Sequence, residues 1–269
     1  MPKYRVLAFI ITVLAVSWIV QFVLFTGILP GEYLGLYMFV PAIIAFIFFL
    51  FNKDPIKSQI ELFTRRTGLW SWVFAVLYPI FWLSTVAAIA VLSGLGKFNA
   101  GAISTLFSWQ FPVNLAVMAL AMAPAVFGEE YGWRGYLLPT LADQRGKLWA
   151  TIITGLVWGL WHIPSYYLIY SQAGLGDPIL LTMLAVITVA VGAFPYAYLF
   201  FLNGNILPCV LMHAVYDKFA AVVLINASGS TGPIQGSPGL LSIPWPYALG
   251  LIFLTGSALA ALFAWRLKN

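Results

Sequence analysis

Eight apolar segments divide this chain of 269 residues almost end to end, near 6–26, 35–51, 70–93, 112–139, 148–169, 179–202, 206–225 and 246–267. At ~1.5 Å of rise per residue, a helix needs about 20 apolar residues to cross the hydrocarbon core of a bilayer. Every backbone N–H and C=O inside that core must be satisfied, which restricts spanning structures to helices and closed barrels. Segments of this length point to helices. The pattern predicts an all-α polytopic membrane protein with about eight transmembrane helices, a single integral-membrane domain over residues 1–269. Composition agrees: with 62% hydrophobic and 8% charged residues, the chain has too little polar surface for a soluble globule.

The breaks carry turn chemistry at Leu29-Pro-Gly-Glu32, Asn52-Lys-Asp-Pro55, Ser93-Gly-Leu-Gly96, Gly174-Leu-Gly-Asp-Pro178, Asn203-Gly-Asn205 and the Gly/Ser/Pro-rich stretch from Ser228 to Pro246. No internal repeat and no soluble domain stands out. The net charge of +5 could suggest a nucleic-acid partner, but its distribution argues for a lipid bilayer instead. With the N-terminus cytoplasmic, ten of the thirteen Lys and Arg residues fall on the inner side: Lys3, Arg5, Lys53, Lys57, Arg65, Arg66, Arg145, Lys147, Arg266 and Lys268. Lys97 alone falls outside, while Arg134 and Lys218 lie within or beside spans, so the positive-inside rule places both termini in the cytoplasm. The first segment is longer than a signal-peptide core and lacks a small-residue cleavage site, and is read as a retained helix.

Five of the eight acids, Glu32, Asp54, Glu61, Asp143 and Asp177, fall in loops. The other three, Glu129, Glu130 and Asp217, lie in spans with Arg134 and the only two histidines, His162 and His213. At ~2.5 to 3.5 kcal/mol per charge, Glu129, Glu130, Arg134 and Asp217 would together cost on the order of 10 kcal/mol facing lipid. They must face each other or a water-filled cavity. Glu130 and Arg134, at i and i+4, share a helical face and can pair; Glu129 lies about 100° away and remains the free carboxylate. His213 and Asp217 are also i and i+4, so the aspartate can orient or charge-stabilise the imidazole or complete a binding site beside it.

Helical rise puts Glu129, His162 and His213 about 16, 21 and 10 Å from the inner ends of their spans, close enough for one intramembrane site once tilt is allowed. Gly128-x-x-x-Gly132 and Gly155-x-x-x-Gly159 permit close helix approach near these side chains, and Pro124, Pro164 and Pro208 can kink the three helices that carry them. Trp133, Trp158 and Trp161 are read as core or interface residues, and Cys209 as packing.

Such a cluster suits hydrolysis. A poorly solvated carboxylate can take a proton from water, a neighbouring histidine can share that work, and a second histidine can stabilise an oxyanion. Glu129 with His162 fits the first task and His213 the second. No G-x-S-x-G nucleophile is present. Two histidines and a glutamate are also a zinc ligand set; H-E-x-x-H is absent, and the spacing leaves a metal open. The plainer alternative is that Glu130 with Arg134, and His213 with Asp217, merely hold a bundle together, which leaves Glu129 and His162 without a task. A proton relay in a transporter is a third reading, although inverted repeats are not apparent.

Glu129-Glu130-x-x-x-Arg134, then Trp158-Gly-Leu-Trp-His162, then His213-x-x-x-Asp217 resemble the three ordered motifs of the CPBP family, over roughly residues 112–225. That family comprises type II CAAX prenyl endopeptidases and bacteriocin-processing or immunity (Abi) proteins. The resemblance implies an eight-helix intramembrane endopeptidase whose catalytic set is Glu129, Glu130, Arg134, His162, His213 and Asp217. Glu129, helped by His162, activates water; His213 and Asp217 stabilise the oxyanion. It implies no cofactor beyond a divalent metal, zinc, for which both metal-dependent and metal-free mechanisms have been argued; the metal-free form is favoured here. Two departures stand out: Trp158 replaces the usual Phe, and Asp217 replaces the Asn of prenyl-processing members. The near absence of soluble loops points to a bacterial cytoplasmic membrane, where prenylated substrates are not expected, so the expected substrate is a peptide or membrane protein entering from the membrane or its inner face. A non-catalytic immunity or scaffold protein, binding a peptide or partner in the same polar pocket, is the alternative.

Overall fold

A computed structural model describes residues 3–28, 31–52, 55–99, 108–224 and 240–268. The first long helix is α1 (Lys3–Phe25), followed by a 3-10 segment (Gly31–Phe39) that leads directly into α2 (Val40–Asn52). Next come α3 (Ile56–Thr64), α4 (Leu69–Leu92) and α5 (Gln110–Glu130), which passes through a π-helical segment (Tyr131–Leu137) into α6 (Leu138–Arg145). The chain continues through α7 (Lys147–Trp161), α8 (Ile163–Ala173), α9 (Pro178–Asn203), α10 (Leu207–Leu224) and α11 (Trp245–Lys268).

Among the described residues, seven helical stretches are each long and apolar enough to span a membrane, and α7 with α8 makes an eighth as a bent pair. The all-α architecture expected from the apolar segments is the one found. Large apolar side chains such as Leu7, Phe22, Leu92, Leu120 and Leu254 are exposed along the helix flanks, as an integral membrane protein requires. Lys53 and Asp54, the turn residues Leu29 and Pro30, and most of the Gly/Ser/Pro-rich stretch lie outside the described residues.

Two elements were not foreseen. Helix α3 interrupts the charged loop before α4 and buries only Leu62. It is fastened to the turn after α9: Asn205 Nδ2 donates to the Phe63 and Arg65 carbonyls at 3.1 and 2.8 Å, and the Ile206 N–H donates to the Leu62 carbonyl at 2.9 Å. At the other end of the bundle, β1 (Lys97–Phe98) pairs antiparallel with β2 (Leu241–Ser242), Lys97 opposite Ser242. Leu240, Leu241 and Ile243 then join a core with Leu83 and Val86 of α4 and Phe219 and Val223 of α10.

Both Gly-x-x-x-Gly motifs permit close approach, each to a different partner. A Cβ on Gly128 would come 2.5 Å from the Met38 carbonyl oxygen, and one on Gly132 would come 2.5 Å from Pro41 Cβ. On Gly155 and Gly159 it would meet the Ala190 and Val186 carbonyl oxygens of α9, each at 2.5 Å. Small residues here seat α5 against the 3-10/α2 segment and α7 against α9, the two contacts that fix the position of the acidic pair and of His162.

Candidate active site

The three motifs meet at one cavity of about 340 Å³, lined by Glu129, Trp158, His162, His213 and Asp217 among others. Glu130 and Arg134 do not line it. They form its floor, both fully buried. Arg134 Nη1 donates to Glu130 Oε1 at 2.9 Å, the pair expected from i,i+4 spacing, even though the helix turns from α to π immediately after Glu130. The guanidinium lies between the Trp158 and Tyr196 rings, 4.4 Å from each centroid, so cation–π contact on both faces supplements the ion pair.

Glu129 projects to the other side of α5 and into the cavity. Its Oε2 accepts a hydrogen bond from Trp158 Nε1 at 2.8 Å, its only hydrogen bond among the described residues. Trp158 is therefore a polar component of the site rather than the packing residue expected; its indole N–H is a donor that phenylalanine lacks.

His162 sits where the fifth span breaks, at the 42° bend between α7 and α8, with Pro164 in the first turn of α8. Its Nδ1 lies 2.8 Å from the Trp158 carbonyl. A carbonyl only accepts, so Nδ1 carries the hydrogen and Nε2 is left with its lone pair. The ring stacks on Tyr166 at 4.8 Å and meets Trp161 edge-on at 4.7 Å, which fixes its plane.

The bend separates the Trp161 carbonyl from the Ser165 N–H, and Gln21 of α1 occupies the gap. Gln21 Nε2 donates to the Trp161 carbonyl at 2.8 Å, and Gln21 Oε1 accepts from the Ser165 N–H at 3.1 Å. One buried amide thus replaces the missing i→i+4 bond, as helix breaks within a membrane demand. The only signal in the sequence was a glutamine in the middle of an apolar span.

His213 holds the third motif to the first. Its Nδ1 lies 2.8 Å from Glu130 Oε1, whereas Nε2 is 3.7 Å from Asp217 Oδ1, beyond a direct hydrogen bond. The expected His213–Asp217 pairing is the looser contact; the tighter one crosses from α10 to α5. Glu130 therefore receives two donors through a single oxygen, and its Oε2 and Arg134 Nη2 remain buried without a hydrogen bond. Cys209 packs under this floor, its thiol 3.5 Å from the Tyr196 carbonyl.

Among the described residues, no three His, Cys, Asp or Glu side chains group closely enough to hold a metal ion. His162 and His213 each commit Nδ1 to a protein partner, and Glu129 commits one oxygen to Trp158.

Fold and site define a polytopic helical membrane protein with carboxylate and imidazole groups gathered inside the helical bundle. Residues 109–219, the stretch that carries all three motifs, match the type II CAAX prenyl endopeptidase Rce1-like family model. CAAX prenyl protease 2 of Methanococcus maripaludis is 27% identical over 179 residues, which is 61% of this chain and 64% of that relative. The chain thus matches about 64% of the length of its curated relative. Together the two matches support the CPBP family for this chain.

Proposed function

We propose that the protein is an intramembrane endopeptidase that hydrolyses a peptide bond in a membrane-associated peptide or protein, with water as nucleophile. The observation that carries this reading is the convergence of Glu129 and His162 on one cavity, each with a single hydrogen bond that fixes its orientation. Glu129 acts as general base: it takes a proton from water as the oxygen attacks the scissile carbonyl, and His162 Nε2 shares that proton. His213 supports the oxyanion through Nε2, with both ring nitrogens protonated, and Asp217 steadies the ring from the cavity side. The proton returned to the leaving nitrogen completes hydrolysis to a carboxylate and an amine. Glu130 and Arg134 are positioning residues: they hold His213 and Trp158 and do not line the cavity.

The reading is metal-free: Glu129 and His162 suffice to take and pass on the proton from water. The Lys and Arg distribution supports both termini on the cytoplasmic side, and the near absence of soluble loops supports a bacterial cytoplasmic membrane. The relative's name refers to prenylated CAAX substrates. Asp217, where prenyl-processing members carry Asn, favours an unprenylated peptide or membrane protein for this chain. Comparing the membrane peptidomes of cells carrying the wild type and Glu129→Gln tests the proposal. New peptide termini that depend on Glu129 are expected. Identical termini in both strains, with in vivo function retained by Glu129→Gln and His162→Ala, would point to a binding protein instead.

A further inference from the structure

A further polar side chain reaches the cavity from outside the three motifs. Tyr37 belongs to the 3-10 segment (Gly31–Phe39), lies outside the matched residues 109–219, and lines the cavity with Glu129 and His162. Its position follows from a backbone contact. Gly128 brings α5 so close to the 3-10 segment that a Cβ there would come 2.5 Å from the Met38 carbonyl oxygen and 2.8 Å from the Phe39 Cα. Met38 directly follows Tyr37 and Gly128 directly precedes Glu129, so the approach that this glycine permits sets the tyrosine beside the glutamate.

The ring is held from two sides. It stacks on Trp161 at 5.1 Å and 29°, and Phe25 of α1 meets it edge-on at 5.5 Å. Trp161 in turn contacts the His162 ring at 4.7 Å. Tyr37 is thus tied to Glu129 through a backbone contact and to His162 through one shared ring. The charges of Glu129 and Asp217 both act on its phenol, as they would on a hydroxyl turned to the cavity. Among the described residues, that hydroxyl has no hydrogen-bond partner. A tyrosine O–H inside a protein usually finds one, so this donor is available to what the cavity binds.

We propose that Tyr37 is a further catalytic residue, whose hydroxyl donates to the oxygen of the attacking water. The proposal rests on the hydrolase reading. An ordered buried water makes about three hydrogen bonds. The Glu129 oxygen not bonded to Trp158 and His162 Nε2 are both acceptors, so they take the two water hydrogens and leave its lone pairs unengaged. The Tyr37 O–H supplies the missing donor. With one lone pair held by Tyr37, a single lone pair remains to attack, and its direction is fixed. Tyr37 keeps its own proton throughout. The water oxygen bonds the scissile carbonyl carbon, its proton passes to Glu129, and that proton reaches the nitrogen as the C–N bond breaks.

Tyr37→Phe in the full-length protein in liposomes is the test, with a peptide whose cleavage depends on Glu129 as substrate. The ring and its stacking stay, and only the hydroxyl is lost. The value of kcat should fall roughly 10- to 100-fold, as a misplaced reacting group costs up to about 10²-fold, at unchanged KM and thermal midpoint. Added to Glu129→Gln, the same substitution should lower residual cleavage no further, because both act on one water. A wild-type kcat, a rise in KM alone, a loss matched by a lower midpoint, or an undiminished loss in the Glu129→Gln background overturns the inference and leaves the hydrolase reading standing. If no peptide depends on Glu129, the hydrolase reading falls and this inference falls with it.

Discussion

The wall and the floor of the cavity are built from the same few residue types, yet they treat them in opposite ways. On the floor, Glu130 accepts from both Arg134 and His213, and Arg134 is enclosed by two aromatic rings. On the wall, Glu129 and His162 each keep one hydrogen bond and turn their remaining polar atom to the cavity. Adjacent glutamates on one helix thus have different surroundings because one residue step rotates them about 100° apart. The floor carboxylate is paired with cationic partners, and the wall carboxylate is held by one neutral donor.

The sharpest way to break the floor is Arg134→Met. It leaves Glu130 buried with the Arg134 cation removed and only His213 still bonded to it, a loss of the kind that costs ~3–5 kcal/mol when a buried pair loses one partner. The expected result is a large fall in the thermal midpoint and in folded yield in detergent. Wild-type stability would show that the floor is not held by this pair. A smaller effect, on the wall, comes from Trp158→Phe. The ring stays over Arg134, but the donor to Glu129 is lost. A hydrogen bond to a charged group contributes about 1.5–3 kcal/mol, which corresponds to a rate loss of roughly 10- to 100-fold. Turnover should fall at nearly unchanged KM, since the indole N–H holds the base rather than the substrate; a rise in KM alone would assign Trp158 to binding.

Gln21→Leu probes the break between the two helices that carry Trp158 and His162. Two backbone groups lose their partners, at ~1–3 kcal/mol for an unsatisfied buried group. Activity should fall with stability, and Gln21→Glu, which keeps the acceptor for the Ser165 N–H, should recover part of it. The smallest expected effect is that of a chelator. Activity after exhaustive EDTA treatment should match the untreated protein, and loss with rescue by zinc would replace the metal-free account.

Much of this contrast was legible in the sequence. The apolar segments show the bundle, and i,i+4 spacing separates Glu130 with Arg134 from Glu129. What spacing does not reveal is contact between helices. The His213–Glu130 bond joins residues 83 apart in sequence, and Gln21 meets Trp161 across 140. Trp158 was misjudged for a related reason: an aromatic in an apolar span reads as packing until the acceptor facing its N–H is known. Helix α3 was missed because it is short, lies in a charged stretch between two spans and buries only Leu62, and its anchor is the distant turn after α9.

The central claim is that Glu129 reacts while Glu130 supports, and the paired variants Glu129→Gln and Glu130→Gln in purified protein test it most directly. For each, cleavage of a peptide identified from wild-type membranes and the thermal midpoint are measured side by side in liposomes. Glu129→Gln should lose cleavage by roughly 10²- to 10⁴-fold, the usual contribution of a general base, at an unchanged midpoint. Glu130→Gln should lower the midpoint, and its activity should fall only to the extent that His213 is displaced. Cleavage at the wild-type rate by Glu129→Gln would contradict the account.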